Sequence, residues 1–238
     1  MEFYDFHVHS TFSEGKSTLL EIAQRAKLLG FSGICIVNYF SQFEDIEKLK
    51  KEVETVRKDV GIEIFIGFEA KNHYELNKLR RLRKSYDVLL VRGGSLNLNR
   101  KAVETPEVDI LAHPEFGRKD PGLNHVMVKL AAKNDVAIEI NFREILVSSK
   151  ASRQRILHNM ATNVMLCKKY GAKVIITSGA FSHWEMRDPK ILVCMGCLIG
   201  LELSESKNSL SKIPLSIIKK IEERRSKKWI MPGVKVVE

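Results

Sequence analysis

The sequence predicts an α/β protein, a TIM-like (β/α) barrel of about seven parallel strands. Three observations predict it. Apolar runs of strand length alternate with segments of helical periodicity. The runs are apolar nearly throughout, as parallel strands covered on both faces are. No glycine-rich loop follows the first run, which counts against an open doubly wound sheet built around a nucleotide.

The first strand is FYDFHVH, residues 3–9. Thr18-x-x-Glu21 is a capping box that opens a helix. Leu19, Ile22, Ala23, Ala26 and Leu29 keep helical spacing, and Gly30 stops it. Strand two runs from Gly33 to Asn38. Ser41-x-x-Glu44 then opens a helix whose stripe, Leu49, Val53, Val56 and Val60, ends at Gly61. Strand three covers 62–69, a short basic helix about 75–84, and strand four 86–92. A helical piece leads to strand five at 108–113, and a helix at about 123–134 leads to strand six at 136–141. A long helix, 151–170, ends at Gly171 before strand seven, 173–178. Asp188 as N-cap and Pro189 behind it predict a helix through residue 203. Residues 214–228 read as helical, and the tail 230–238 as an end without clear pattern, suited to flexibility. The expectation is a single barrel domain over 1–238 with a helical C-terminal part from about 205.

Thirty-nine Lys and Arg stand against 29 Asp and Glu, a net charge of +10 in 238 residues. A partner carrying many phosphates explains that excess. Surfaces rich in Lys and Glu also occur without nucleic acid. No signal peptide is read, and the longest apolar run, 191–201, falls short of the roughly 20 residues a membrane span needs. A cytoplasmic location and no membrane partner are expected. Cys194 and Cys197 form a lone CxxC. Zinc or redox chemistry stays open there, but the apolar surroundings favour cysteines buried in a helix.

Each strand finishes on a polar side chain: His7 and His9, then Asn38, Glu69, Arg92, His113, Asn141 and Ser178. In a closed parallel barrel these meet at the C-terminal rim, where barrel sites lie. Alternate residues of a strand share a face, so His7 and His9 can address one cation. Glu69 and His113 complete a nitrogen and oxygen donor set suited to zinc or manganese. The alternative is a packed rim without metal.

HVHS, residues 7–10, resembles the polymerase-and-histidinol-phosphatase family, metal-dependent phosphoesterases on a seven-stranded barrel. GFE with Glu69 and AHPE with His113 are similar to later metal positions of that family. The resemblance departs at strand seven, where the family carries an Asp and a His. Here stand Thr177, Ser178, Gly179 and Ala180, and the next histidine, His183, lies further along a loop. With that carboxylate missing, phosphoester hydrolysis by this chain alone is not expected.

Longer strings resemble the thirty-kilodalton subunit family of ribonuclease P, its protein component 3, in the archaeal form. They are residues 91–115, 139–146 and 176–189. The resemblance implies a protein subunit of the ribonucleoprotein endonuclease that removes the 5′ leader of precursor tRNA. It implies that the RNA carries the catalytic centre, so that no residue of this chain is catalytic. Magnesium serves the RNA; the chain itself requires no cofactor, and zinc or manganese at the histidine cluster would be residual. The implied partners are ribonuclease P RNA, protein component 2 in a two-plus-two assembly, the other protein subunits and precursor tRNA.

Neutralising phosphates needs Arg and Lys near the rim loops. The matched strings and the loop after strand five supply Arg92, Arg100, Lys101, Arg118, Lys119, Arg143 and Arg187. Gly93 and Gly94 can bring a backbone amide close to a phosphate. The alternative is that the arginines pair with Glu104, Glu115 or Glu185. The basic groups at 78–84 and 219–228 read as solvated faces, and Trp184 as a core or interface anchor or a base-stacking ring. Two competing functions remain: a stand-alone metal phosphoesterase, which residues 178–180 argue against, and a nucleic-acid-binding barrel outside ribonuclease P.

Overall fold

Seven strands pair in parallel in sequence order and curl into a nearly closed barrel. They are β1 (Tyr4–Val8), β2 (Gly33–Tyr39), β3 (Glu63–Ala70), β4 (Val88–Arg92), β5 (Ile110–Ala112), β6 (Ala137–Asn141) and β7 (Val174–Thr177). The ring closes where Val8 bridges Ala180 and the His9 N–H donates to the Ala180 carbonyl at 2.8 Å. The connecting helices are α1 (Leu19–Leu28), α2 (Ile46–Val60), α3 (His73–Arg81), α4 (Leu96–Val103), α5 (His125–Asn134), α6 (Phe142–Val147) and α7 (Lys150–Tyr170). Three more follow: α8 (Pro189–Leu198), α9 (Leu203–Leu210) and α10 (Lys212–Arg225). This computed structural model describes residues 1–226, 229–231 and 234–235.

The core has two layers because strand side chains alternate. Ile34, Ile64, Leu89, Leu111, Ile138 and Ile176 face outward under the helices. Tyr4, Phe6, Cys35, Phe65, Leu90 and Ile175 fill the barrel interior. Ile217 and Ile221 of α10 join that inner cluster. The C-terminal helix therefore plugs the base of the barrel, at the N-terminal ends of the strands.

Local chemistry explains where the elements depart from expectation. The α1 capping box at Thr18 and Glu21 forms. The Ser41 box does not: residues 40–45 make a 3-10 turn, the Tyr39 N–H donates to Gln42 Oε1 at 3.0 Å, and α2 starts at Ile46. Strand five shrinks to three residues because a Thr105–Val108 turn precedes it and His113 takes a φ of 30° before Pro114. The helix expected through residue 203 breaks into α8 and α9 at Gly200, whose φ is +103°. The α6 turn, directly after β6, was not anticipated; Asn141 caps it. Of the tail, Trp229–Met231 (β8) and Val234–Lys235 (β9) pair as an antiparallel hairpin, and the remainder lies outside the described residues.

Three expectations about side chains are corrected. Cys194 and Cys197 are exposed free thiols, because α8 buries Leu192, Val193, Met195 and Gly196 instead. Arg83 is not on a solvated face: it is buried against Asp109 and the carbonyls of Tyr86, Asp87 and Glu107. Arg224 likewise lies under the barrel, bonded to Asp109 and the Asp87 carbonyl. Lys227 and Lys228 lie outside the described residues.

Candidate functional site at the barrel mouth

A bulge makes the site. In β1 the alternation places Tyr4 and Phe6 inside and would turn His7 outward. The register shifts between Asp5 and Val8, however, and Val8 joins the outer core layer. A bulge re-aims the side chains that follow it, so His7 and His9 face the interior one layer above Phe6. The inner rows of the other strands bring up Tyr39, Glu69, Arg92, Glu139, Asn141 and Thr177. Asn38 has the opposite parity: its amide donates to the Ile36 and Gly67 carbonyls at 3.2 and 3.4 Å, so Tyr39 and not Asn38 represents strand two at the mouth.

Glu139 is the hub. It accepts from Thr177 Oγ1 at 2.6 Å, from the His113 N–H at 3.0 Å and from the Asn141 amide at 3.4 Å, and holds His7 Nδ1 at 2.7 Å. Burial opposes ionising Glu139, but His7 and its other donors outweigh it and hold its carboxyl down at about 2. Burial also opposes charging His7, and the Glu139 carboxylate raises it nonetheless. Burial and the adjacent His7 push His9 down to about 3. His7 Nε2 lies 3.1 Å from His9 Nε2, and His9 Nδ1 lies 3.1 Å from Ser13 Oγ, so the two rings and the hydroxyl form one chain whose donor and acceptor roles follow the tautomers.

Glu69 is buried and shared. Arg92 donates through Nε to Glu69 Oε2 at 3.0 Å and reaches the Tyr39 hydroxyl at 2.6 Å and Glu14 at 3.3 Å. Glu69 Oε1 and His113 Nε2 lie 3.6 Å apart and have no hydrogen-bond partner. His113 Nδ1 meets Glu144 at 3.2 Å; burial opposes its charge, but Glu144 and Glu69 raise it to about 10. Donor atoms of His7, His9 and Glu69 fall within 4.8 Å of one another. Two imidazoles and a carboxylate suit one borderline cation, with His113 beside Glu69 but outside that group. A second cation finds its place beside Glu69 already taken by the Arg92 guanidinium.

Above this cluster is a cavity of about 170 Å³, lined by His7, His9, Arg92, His113, Arg143 and Phe181 among others. The expected basic residues divide around it. Arg143 donates to Glu185 at 3.0 Å and lies 4.0 Å over the Phe181 ring. Arg118 forks onto Asp120 at 2.8 and 2.6 Å and bonds the Gly94 carbonyl at 2.9 Å. Arg187 donates to the carbonyls of Trp184 and Met186 at 2.9 and 3.0 Å. Lys119 is exposed. Arg100 and Lys101 sit in the last turn of α4, not in a loop, and Arg100 pairs with Glu104 at 2.8 Å. That helix runs back from the mouth toward the start of β5.

Of the three expected carboxylate partners, Glu115 pairs with none of these arginines. It is buried, raised to about 8 by burial, and accepts from the Asn163 amide at 3.3 Å. The Gly93 N–H is spent on the Ala112 carbonyl at 2.8 Å, and a Cβ at either glycine would press on the 112–116 backbone. The Gly-Gly pair thus packs two loops together. Trp184, 70% exposed, is no core anchor. Sequence reasoning missed Tyr39, Glu139 and Glu144. For Glu139 the signal was present: an acid in the middle of VAIEIN, a strand otherwise apolar.

Fold and site together define a TIM-like barrel with a histidine–carboxylate mouth crossed by an arginine, flanked by basic loops. Ribonuclease P protein component 3 of Methanosarcina barkeri is 36% identical over 237 residues, covering 100% of this chain and 96% of that protein. A chain in the cryo-EM structure of archaeal ribonuclease P with mature tRNA superposes with a TM-score of 0.83 at 26% identity, over 98% of both chains. A Xaa-Pro dipeptidase with bound methionine shares the fold alone, at TM-score 0.59 and 12% identity over 93% of this chain and 76% of that one. The family model of the RNase P subunit p30 matches residues 2–226, and the chain belongs to that family. It is accordingly a protein subunit of ribonuclease P, the enzyme that processes the 5′ ends of tRNAs.

Proposed function

We propose that the chain supports ribonuclease P by contacting RNA phosphates around the barrel mouth, and that it is not a nuclease by itself. The observation that carries this reading is the Arg92–Glu69 pair. It places a fixed protein cation beside a carboxylate that a metal-dependent hydrolase needs for its ions. Strand seven ends in Thr177, whose hydroxyl is spent on Glu139, and supplies no acid. Arg118, Lys119, Arg143 and Arg187 surround the mouth, and guanidinium forks suit phosphates. Arg100 and Lys101, further down α4, extend the same positive surface. In the cytoplasm such a subunit would bind ribonuclease P RNA and precursor tRNA, and would pair with protein component 2 and the remaining protein subunits.

The test is an Arg143→Ala/Arg187→Ala variant bound to ribonuclease P RNA over a range of salt. Each lost phosphate contact should flatten the log–log slope by about 0.7 to 0.9. Reconstituted cleavage should fall most at low magnesium and recover at high magnesium, since the catalytic groups belong to the RNA. An unchanged slope in a folded variant rejects the role. Cleavage of precursor tRNA by RNA-free wild-type chain with manganese, lost in His7→Ala, rejects the non-catalytic reading.

The His7, His9, Glu69 and His113 set would hold one zinc or manganese ion at most, in a structural capacity. Elemental analysis of wild type against His7→Ala/His9→Ala decides this: equal metal content means no site.

A further inference from the structure

The other end of the barrel carries a second concentration of positive charge that the mouth does not explain. A cleft of about 290 Å³ opens at the base, between α2, the connection from α3 to β4, and α10. Lys50, Arg57, Arg83, Lys84, Arg224 and Arg225 line it. Among the described lining residues the acids are Glu54 and Asp87, and Lys50 pairs at the rim with Glu47 at 2.7 Å.

Buried pairing does not cancel this charge. Arg83 and Arg224 converge on one carboxylate, Asp109, so two guanidiniums share a single negative charge beneath the cleft. Asp87 meets Arg225 at 2.5 Å, while its other oxygen accepts the Ile66 N–H at 2.9 Å. Lys84 donates to a carbonyl, that of Trp229, at 3.3 Å. Arg57 bonds the Ile64 carbonyl at 2.5 Å, stands 3.6 Å from Glu54, and keeps a buried Nε without a partner. Burial, with Arg83 close by, pushes the Arg224 guanidinium below its ordinary value despite its contact with Asp109. The lining thus keeps more cations than carboxylates, and an added anion would relieve their crowding.

We propose that this basal cleft is a second contact for the phosphodiester backbone of RNA, separate from the mouth. The proposal rests on the chain working inside an RNA-bearing complex. The cleft stands near the lower end of the roughly 300–1,000 Å³ typical of ligand pockets. It takes a short anionic segment, not a folded partner. Arginine forks at its wall and lysines at its exposed edge match phosphate oxygens. An eight-residue strand, as in β3, spans about 26 Å at roughly 3.3 Å per residue. Mouth and base would therefore hold two stretches of RNA about a barrel length apart, and the chain would brace one against the other.

The experiment compares Lys50→Ala/Lys84→Ala/Arg225→Ala with the mouth variant Arg143→Ala/Arg187→Ala, and with both combined, on a ribonuclease P RNA transcript. The basal variant should flatten the log–log salt slope by about 2.1 to 2.7, adding to the mouth effect, at about 0.7 to 0.9 for each of three contacts. Lys50→Glu/Lys84→Glu, which leaves every Asp87 and Asp109 pair intact, serves if the triple variant melts early. An unchanged slope in that folded double variant overturns the proposal; if the mouth variant still responds, the mouth reading survives. A second readout uses the reconstituted complex. Lys84→Cys, placed in a Cys194→Ser/Cys197→Ser background because those thiols are exposed, carries an aryl azide. Crosslinks to RNA support the proposal. Crosslinks to protein alone identify an acidic partner segment instead and overturn it.

Discussion

The two ends of this barrel bury ionised groups in different ways. At the base, Asp109 accepts the Leu89 N–H and two guanidiniums, so that β4, the α3–β4 connection and α10 are tied to the entry of β5. At the mouth, Glu139 is fully engaged, but Glu69 Oε1 and His113 Nε2 make no hydrogen bond and face each other at 3.6 Å. A buried polar group left unpaired costs about 1–3 kcal/mol. The Asp109 carboxylate is therefore organised to hold the plug helix in place, whereas the Glu69 carboxylate at the mouth keeps an oxygen that no hydrogen bond satisfies. The base ties the plug helix to the barrel through a carboxylate, and the mouth holds a histidine–carboxylate donor set.

The largest effect should follow from breaking the base. Asp109→Ala leaves Arg83 and Arg224 buried without their carboxylate, and removing one partner of a buried ion pair costs about 3–5 kcal/mol. Urea unfolding measures it. A loss under about 1 kcal/mol would remove the base from its role as the anchor of α10. Asp109→Asn, which keeps the size and one acceptor, should lose less.

Arg92→Ala should cost less than Asp109→Ala, because the Arg92 side chain is 24% exposed and water enters its place. It should also change the chemistry of the mouth. Arg92 and a divalent cation compete for Glu69, so the variant dialysed against zinc or manganese should retain more metal than wild type. Equal retention would mean that the guanidinium is not what limits cation binding.

The contrast extends to acid. Burial opposes ionising Asp109, and Arg83 and Arg224 outweigh it, so its folded pKa lies below the unfolded value of about 3.9. A depressed carboxyl contributes stability that is present above the unfolded pKa and is lost as pH falls below it. Melting temperature should fall as pH drops below about 4, and less steeply in Asp109→Asn. Parallel acid curves for the two proteins would show that the base does not set the acid limit.

The sequence was legible wherever one residue type decides the structure locally. Apolar runs, the Thr18 cap and the stops at Gly61 and Gly171 marked the strands and helices. The mouth was legible through strand ends: His7, His9 and Glu69 come together there, with His113 3.6 Å from Glu69. The rest depended on long-range geometry. The β1 bulge decides which way His7 faces, and strand parity decides that Tyr39 replaces Asn38. The destination of Arg83 and Arg224 could not be read from a charge run, because only the docking of α10 brings them to Asp109. CxxC was misread for a related reason: an apolar helix has an outer face too, and Cys194 and Cys197 share it with Ile191 and Leu198.

The smallest expected effect on stability belongs to Trp184, and it separates fold from function most cleanly. The ring is 70% exposed, meets the His183 ring at a tilt of 42° with centroids 4.5 Å apart, and has the Arg25 guanidinium 5.8 Å above it. Neither neighbour is buried beneath it. An exposed side chain away from caps and buried networks usually shifts stability by no more than about 0.5 kcal/mol, so Trp184→Ala should melt with wild type. A structural tryptophan would instead cost about 3–5 kcal/mol. Stacking on an unpaired base is worth about 1–3 kcal/mol, so an RNA-facing Trp184 should lose affinity for ribonuclease P RNA by that amount, with little change in salt slope because stacking displaces few counterions. A melting temperature equal to wild type with unchanged RNA affinity would leave the ring as a contact for a protein partner. A clear loss of affinity at constant slope would place a base beside the mouth, next to the phosphate contacts proposed for Arg143 and Arg187.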